Sequence, residues 1–284
     1  MGSKKILVAG PFVGELGFEC FSWQPLVRKK FLTGGFTKCH VYTNSGSELL
    51  YPFAKVHKYE PEKPYQSEGN CLFRRPINPD SKEYKGMVNR LQKMAIKKWP
   101  GAEFVSTLGL GHCKAHYELG SPNRIVADRE FPGVEKSKKK TIVFCLRGRR
   151  LSKFRNWSNE NWYKLSQTAV DNGCRAIIVG TSKKDIPMPD GVINLINKTT
   201  LDDVIRIFGV ADLAVGGSTG TMHLASRCGV DHLVWATRNE MSRYKKTNWA
   251  GAKHCVYPWG WDPRPSKVSR ALKGWISSGK FLKL

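Results

Sequence analysis

Three stretches of the chain hold side chains able to do chemistry. The first is ADLAVGGSTGTMHLASRCG, residues 211–229. Apolar residues lead into small ones and then into a helix-like run, the pattern of a strand, a tight turn and a helix start. Backbone N–H groups at a helix start lack intrahelical partners and carry partial positive charge, so Gly220 and Thr221 suit a phosphate. Ser218, Thr219 and Thr221 add hydroxyls, and His223 follows. An ordinary strand-to-helix turn with His223 packed inside fits the same spacing. The glycines match neither a P-loop nor G-x-G-x-x-G, which excludes those nucleotide signatures. The second stretch is LRGRRLSKFRNW, residues 146–157, with five basic side chains after a strand. Arg147, Lys153 and Arg155 suit phosphate oxygens there, and a solvated basic loop is the plain alternative. The third is GPFVGELGFE, residues 10–19. Glu15 and Glu19 stand at a glycine-containing turn that opens a helix, where a carboxylate serves as a general base or complements the helix dipole.

These stretches need elements to hold them. Strand-like and helix-like segments alternate through the 284 residues, the pattern of an α/β protein. Strands are expected at Ile6–Gly10, Lys38–Thr43, Thr141–Leu146, Arg175–Gly180, Val192–Leu195, Ala211–Val215 and His232–Ala236. Helices are expected at Phe18–Phe31, from Ser45 to Tyr51, and at Glu83–Lys98, Asn159–Asn172, Thr200–Val210, Thr221–Cys228 and Ala271–Ser278. The repeated strand–turn–helix units predict two Rossmann-like domains facing each other across a cleft. The charged run GVEKSKKK, residues 133–140, reads as the linker. The expected division is 1–138, 139–265 and a C-terminal helix in 266–284 that packs back on the first domain.

Composition narrows the partners. The formal charge is +24, and it divides as +11 over residues 1–140 and +13 over 141–284. A field spread over the whole chain favours a polyanion: nucleic acid, an anionic membrane surface or a phosphate-rich glycan. The eight cysteines show no C-x-x-C and no paired spacing, so they read as reduced thiols in a cytoplasmic protein. No apolar run is long enough to span a membrane. His112, Cys113 and His116 form one soft-ligand cluster without a second, and no metal is expected.

Taken together, the three stretches resemble glycosyltransferase family 9, the heptosyltransferases. Residues 211–230 resemble that family's sugar-nucleotide signature, a Thr-Gly-x-x-His-Leu turn holding the donor diphosphate. Arg155-Asn156-Trp157-Ser158 resembles its Lys-x-Trp-Pro segment, and Glu15 falls on its catalytic aspartate, with Glu19 in reserve. Ser218, Arg155 and Glu15 depart from the family's aspartate, lysine and aspartate. The resemblance implies a GT-B fold, a nucleotide-diphosphate sugar as donor substrate, inversion at the anomeric carbon and no obligatory metal or other cofactor. It is good over about 141–236, faint over 6–31 and absent from 50 to 130.

The acceptor is expected from charge alone. Basic and aromatic residues interleave at 243–249, 257–264 and 73–75. That places Arg243, Tyr244, Lys245, Lys246, Arg74 and Arg75 as acceptor contacts, by stacking and phosphate pairing. The sequence therefore favours hydroxymethylated bases in DNA, as for phage DNA glycosyltransferases that share the GT-B fold. Transfer to a phosphorylated lipopolysaccharide or other glycan is the alternative. A nucleic-acid-binding protein on an inactive transferase scaffold is the contrasting class.

Overall fold

The computed structural model describes residues 5–60, 82–106, 124–149, 152–248 and 250–281. The chain divides into two units, Met1–Asn123 and Arg124–Leu284, each built on its own parallel sheet.

In the first unit, β1 (Ile6–Phe12) lies at the centre of a four-stranded sheet with β2 (Lys38–Thr43), β3 (Lys55–Lys58) and β4 (Glu103–Val105), in the order β3-β2-β1-β4. β1 is apolar on both faces and fully buried from Leu7 to Ala9, as a central parallel strand must be. After β1 the chain makes a short helix α1 (Leu16–Phe18), a π-helical turn (Glu19–Trp23) and α2 (Gln24–Thr33). Helix α3 (Lys82–Lys98) covers one sheet face with Tyr84, Met87, Val88, Leu91 and Ala95, which recur at helical spacing. Gly10 crosses β2 so closely that a Cβ there would sit 2.5 Å from the Tyr42 carbonyl oxygen, which explains the glycine. Successive strands add to one side of β1 until β4 returns to the other. The strand order therefore reverses beside the loop that carries Glu15.

The expected helix from Ser45 to Tyr51 is instead a series of turns. Gly46 has φ +62°, and the Ser47 hydroxyl accepts the Leu50 N–H, so the local side chains compete with helical bonding.

The second unit has six parallel strands: β5 (Thr141–Arg147), β6 (Arg175–Thr181), β7 (Val192–Ile196), β8 (Leu213–Gly217), β9 (Asp231–Trp235) and β10 (His254–Tyr257). Their order is β10-β9-β8-β5-β6-β7. Helices α4 (Asn159–Asp171), α5 (Leu201–Gly209), α6 (Gly220–Arg227) and α7 (Arg238–Lys246) connect them, and α8 (Pro265–Ser278) ends the unit. Local signals set the helix starts. Ser158 caps α4, and Thr200 with Asp203 forms a reciprocal capping box on α5.

The second unit takes in the charged run read as a linker as well as the C-terminal helix. Residues 124–138 belong to the second unit. The Ile125 N–H donates to Arg227 O at 2.9 Å, and the Arg206 fork binds both carboxylate oxygens of Asp128. Helix α8 buries Val268, Ala271, Leu272 and Trp275 in the second unit's core, and its Ser269 touches Thr168 of α4. Its hydrophobic face is thereby satisfied where it stands.

Candidate active site

Sheet order decides which loops of the second unit meet. β5 and β8 are hydrogen-bonded neighbours, yet the chain leaves them towards opposite edges of the sheet. Between their C-terminal ends lies the topological switch point, where open α/β sheets bind ligands. The basic loop after β5 and the small-residue turn after β8 both emerge there.

The turn after β8 is built by its own side chains. Thr219 is the N-cap of α6: its Oγ1 accepts the Met222 N–H at 3.4 Å, and its carbonyl accepts the His223 N–H at 3.1 Å. The N–H groups of Gly220 and Thr221 have no hydrogen bond to any described residue, so they are the donors left at the positive end of the helix. Ser218 is buried, with its hydroxyl donating to Glu240 Oε2 at 3.1 Å and accepting from the Tyr244 hydroxyl at 3.3 Å. His223 is buried and stacks on Tyr244 with ring centroids 4.4 Å apart. Burial, then the cations Arg243 and Arg155, hold its imidazole well below its usual pKa and therefore neutral. Ser218 and His223 support the turn from beneath. Gly216 and Gly217 keep the strand end clear, since a Cβ on Gly217 would reach 3.1 Å from Trp235 Nε1.

Arg155 arrives from the basic loop. A single 3₁₀ turn, Lys153–Arg155, follows Ser152 in the left-handed region at φ 54°. The Arg155 guanidinium donates through Nη2 to the Ser218 carbonyl and lies 4.0 Å from the centroid of the Trp261 ring. Arg147 braces the loop instead, through Nη1 to Ser152 O and Asn156 Oδ1. Asn156 in turn holds the Arg149 carbonyl at 2.7 Å, and Lys153 is exposed. Of the three cations singled out in the sequence, Arg155 is therefore the one placed at the phosphate-type turn.

The two carboxylates of the first unit have opposite settings. Glu15 ends the loop after β1 as the N-cap of α1, half-buried and making no side-chain cap. Glu19, one turn later, is fully buried. Its Oε1 accepts from the hydroxyls of Thr43, Ser45 at 2.8 Å and Tyr51 at 2.9 Å, while Oε2 has no hydrogen-bond partner. Desolvation raises its pKa despite those three donors. Glu19 thus ties the segment after β2 to the helix start and has no exposed oxygen.

The residues expected to meet the acceptor separate. Tyr244 is fully buried, so its ring cannot stack on a base. The aromatic–basic interleaving at 243–249 comes from α7 itself: Tyr244 faces the core, while Lys245 and Lys246 face outwards and Arg243 pairs with Glu240 at 2.7 Å. Arg74, Arg75, His112, Cys113 and His116 lie outside the described residues. Among the described residues no group of three His, Cys, Asp or Glu side chains is placed to hold a metal ion. No described helix is long and apolar enough to cross a membrane.

Two site residues were missed in the sequence. Glu240 receives both Ser218 and Arg243, and the Glu–Arg spacing of three after Thr237 was a legible helix signal. Trp261 backs Arg155; it stands in the aromatic–basic stretch 257–264 that the sequence linked to the acceptor, and its part at the donor turn was missed because the pair meets only through the fold.

Two parallel-sheet α/β units with a phosphate-type turn at the second switch point define the GT-B class of fold. Residues 65–231, more than half of the chain, match the model of glycosyltransferase family 9 (heptosyltransferase), and the chain belongs to that family. Among solved structures it is similar to the Escherichia coli ADP-heptose lipopolysaccharide heptosyltransferase II, at 14% identity and a TM-score of 0.60, covering 97% of this chain and 99% of that one. It is also similar to a family 9 glycosyl transferase from Veillonella parvula, at 10% identity and a TM-score of 0.58, covering 99% and 90%. The E. coli heptosyltransferase WaaC with ADP matches at 15% identity and a TM-score of 0.54, covering 97% and 100%. No curated protein sequence matches significantly.

Proposed function

We propose that the protein transfers a sugar from a nucleoside-diphosphate sugar to a hydroxyl of a phosphorylated glycan, with inversion and without a metal. The observation that carries this reading is the match of residues 65–231 to the heptosyltransferase family, together with Arg155 seated on the phosphate-type turn. In the reaction the acceptor oxygen bonds to the anomeric carbon as the bond from that carbon to the diphosphate oxygen breaks. Glu15 takes the acceptor's proton, a role suited to a half-buried carboxylate and not to the enclosed Glu19. Negative charge gathers on the leaving β-phosphate. The Gly220 and Thr221 N–H groups and the Arg155 guanidinium stabilise it as fixed positive dipoles and charge, which replaces the work of a metal ion.

The glycan replaces DNA as the favoured acceptor. The DNA reading rested on net charge and on stacking side chains, and one of those, Tyr244, is enclosed in the core. Family membership favours the glycan, and the named relatives include an ADP-heptose lipopolysaccharide heptosyltransferase. It also favours an enzyme over a binding protein on an inactive scaffold. The test is mass spectrometry of two acceptors incubated with the protein and ADP-heptose: a phosphorylated lipopolysaccharide core lacking heptose, and a duplex carrying hydroxymethylcytosine. The expected product is the glycan heavier by one sugar. Sugar on the duplex alone would overturn the glycan reading.

A further inference from the structure

The first unit carries a basic cluster that the transfer chemistry does not use. β2 and β3 run side by side with His40 opposite Lys55 and Tyr42 opposite His57. Residues 38, 40, 42, 55 and 57 therefore share one face of the sheet. His40 Nδ1 and His57 Nε2 lie 3.1 Å apart. His57 stacks on Tyr42 with centroids 4.5 Å apart, and His40 stacks on Trp99 at 4.1 Å. These walls fix both imidazoles at the edge of the sheet. Lys38 and Lys55 begin their strands, and Lys98 ends α3 with its Nζ 4.9 Å over the Trp99 ring.

Among the described residues, the charges around the pair are all of one sign. Lys38, Lys55 and Lys98 are exposed, and none of them pairs with a carboxylate among the described residues. Glu103 belongs to the opposite face, with Lys5 and Lys30, and Glu60 pairs with Lys58. From the end of α3 the pair meets Lys98, from the residue after it Trp99, and from β2 and β3 Lys38, Tyr42 and Lys55. Burial, followed by the neighbouring His57 and the lysines, holds His40 down at about 4, and burial with Lys55 and Lys98 lowers His57. Both imidazoles are then neutral at pH 7, joined by one N–H···N bond. That bond leaves one outer nitrogen as a donor and the other as a bare acceptor. Uptake of a single proton keeps the inner bond and makes both outer nitrogens N–H donors.

We propose that His40, His57, Lys38, Lys55 and Lys98 form a binding site for a phosphoryl group, separate from the donor turn and from Glu15. The site goes beyond the transfer reaction. Its histidines stand on the sheet face opposite that of Thr43, the residue that touches Glu19. A phosphate supplies the missing negative charge, and a cation would meet three uncompensated lysines. Binding takes up a proton, so affinity rises as pH falls, by up to about tenfold per unit.

The test is histidine side-chain NMR of the full ¹⁵N-labelled chain, titrated with inorganic phosphate or glucose 1-phosphate near pH 6 and near pH 8. Reading the His40 and His57 signals separates this cluster from the donor turn beside His223. Saturable shifts that tighten at the lower pH are expected. Lys55→Gln combined with Lys98→Gln, on an exposed surface, should weaken them by about fivefold or more. Equal affinity for both probes would assign the site to the phosphoryl group alone, and tighter glucose 1-phosphate to a phosphorylated sugar. Shifts that never saturate, or that are unchanged in the lysine variant, would overturn the proposal. So would saturation by Zn²⁺ or by a DNA duplex where neither phosphate probe saturates.

Discussion

The two switch points of the molecule are built by opposite means. At the second unit's turn the side chains do the construction and the backbone is left to face a ligand. Thr219, Ser218 and His223 are all engaged in shaping it, while the Gly220 and Thr221 N–H groups remain as donors. At the first unit's turn two carboxylates one helical turn apart divide the work. Glu19 is enclosed by three hydroxyls, and Glu15 is left half-buried at the helix entry. Identical residue types at a spacing of four thus meet different burial and different hydrogen-bond partners.

Substitutions at these two turns sharpen the contrast. The largest effect is expected from Glu15→Gln, which should lower kcat by about 10²–10⁴-fold in a transfer assay, as removal of a general base does. Next is Arg155→Ala, which removes charge from the leaving phosphate and should lower turnover by about 10²–10³-fold. Its effect should appear in the donor's KM and not in the acceptor's. Thr219→Ala removes the α6 cap and should destabilise the second unit by about 1 kcal/mol, read from chemical denaturation.

The smallest effect separates Glu19 from Glu15. A carboxyl whose folded pKa is raised binds more protons folded than unfolded at pH values above its unfolded 4.5. Stability from this group is therefore fullest below that value and falls as pH rises through the raised one. Glu19→Gln should flatten that decline in pH-dependent denaturation and keep most of the turnover. A decline equal to wild type would show that Glu19 is ionised in the folded protein.

The second unit was more legible in the sequence than the first, for physical reasons. Strands β5, β6 and β8 are apolar runs bounded by turns, and α5 announces its start with Thr200 and Asp203. In the first unit β3 is Lys-Val-His-Lys and β4 has three residues, so neither shows the apolar run of a buried strand. Ser45 and Tyr51 looked helical because their partner, Glu19, is distant in sequence. The site was legible to the same degree. Signature and basic loop were visible, but adjacency of β5 and β8, which seats Arg155 on Ser218, follows only from strand order. The role of Tyr244 was misread because charge on both sides of it hid the inward face of α7.

In the proposed reaction, donor recognition belongs to the second unit's turn and proton removal to Glu15. Calorimetric titration of a nucleoside diphosphate into wild type, Glu15→Gln and Arg155→Ala tests it most directly. Glu15→Gln should bind as wild type does, while Arg155→Ala should bind at least about tenfold more weakly, the loss of one charge-assisted contact. Weakened binding in Glu15→Gln with unchanged binding in Arg155→Ala would contradict it.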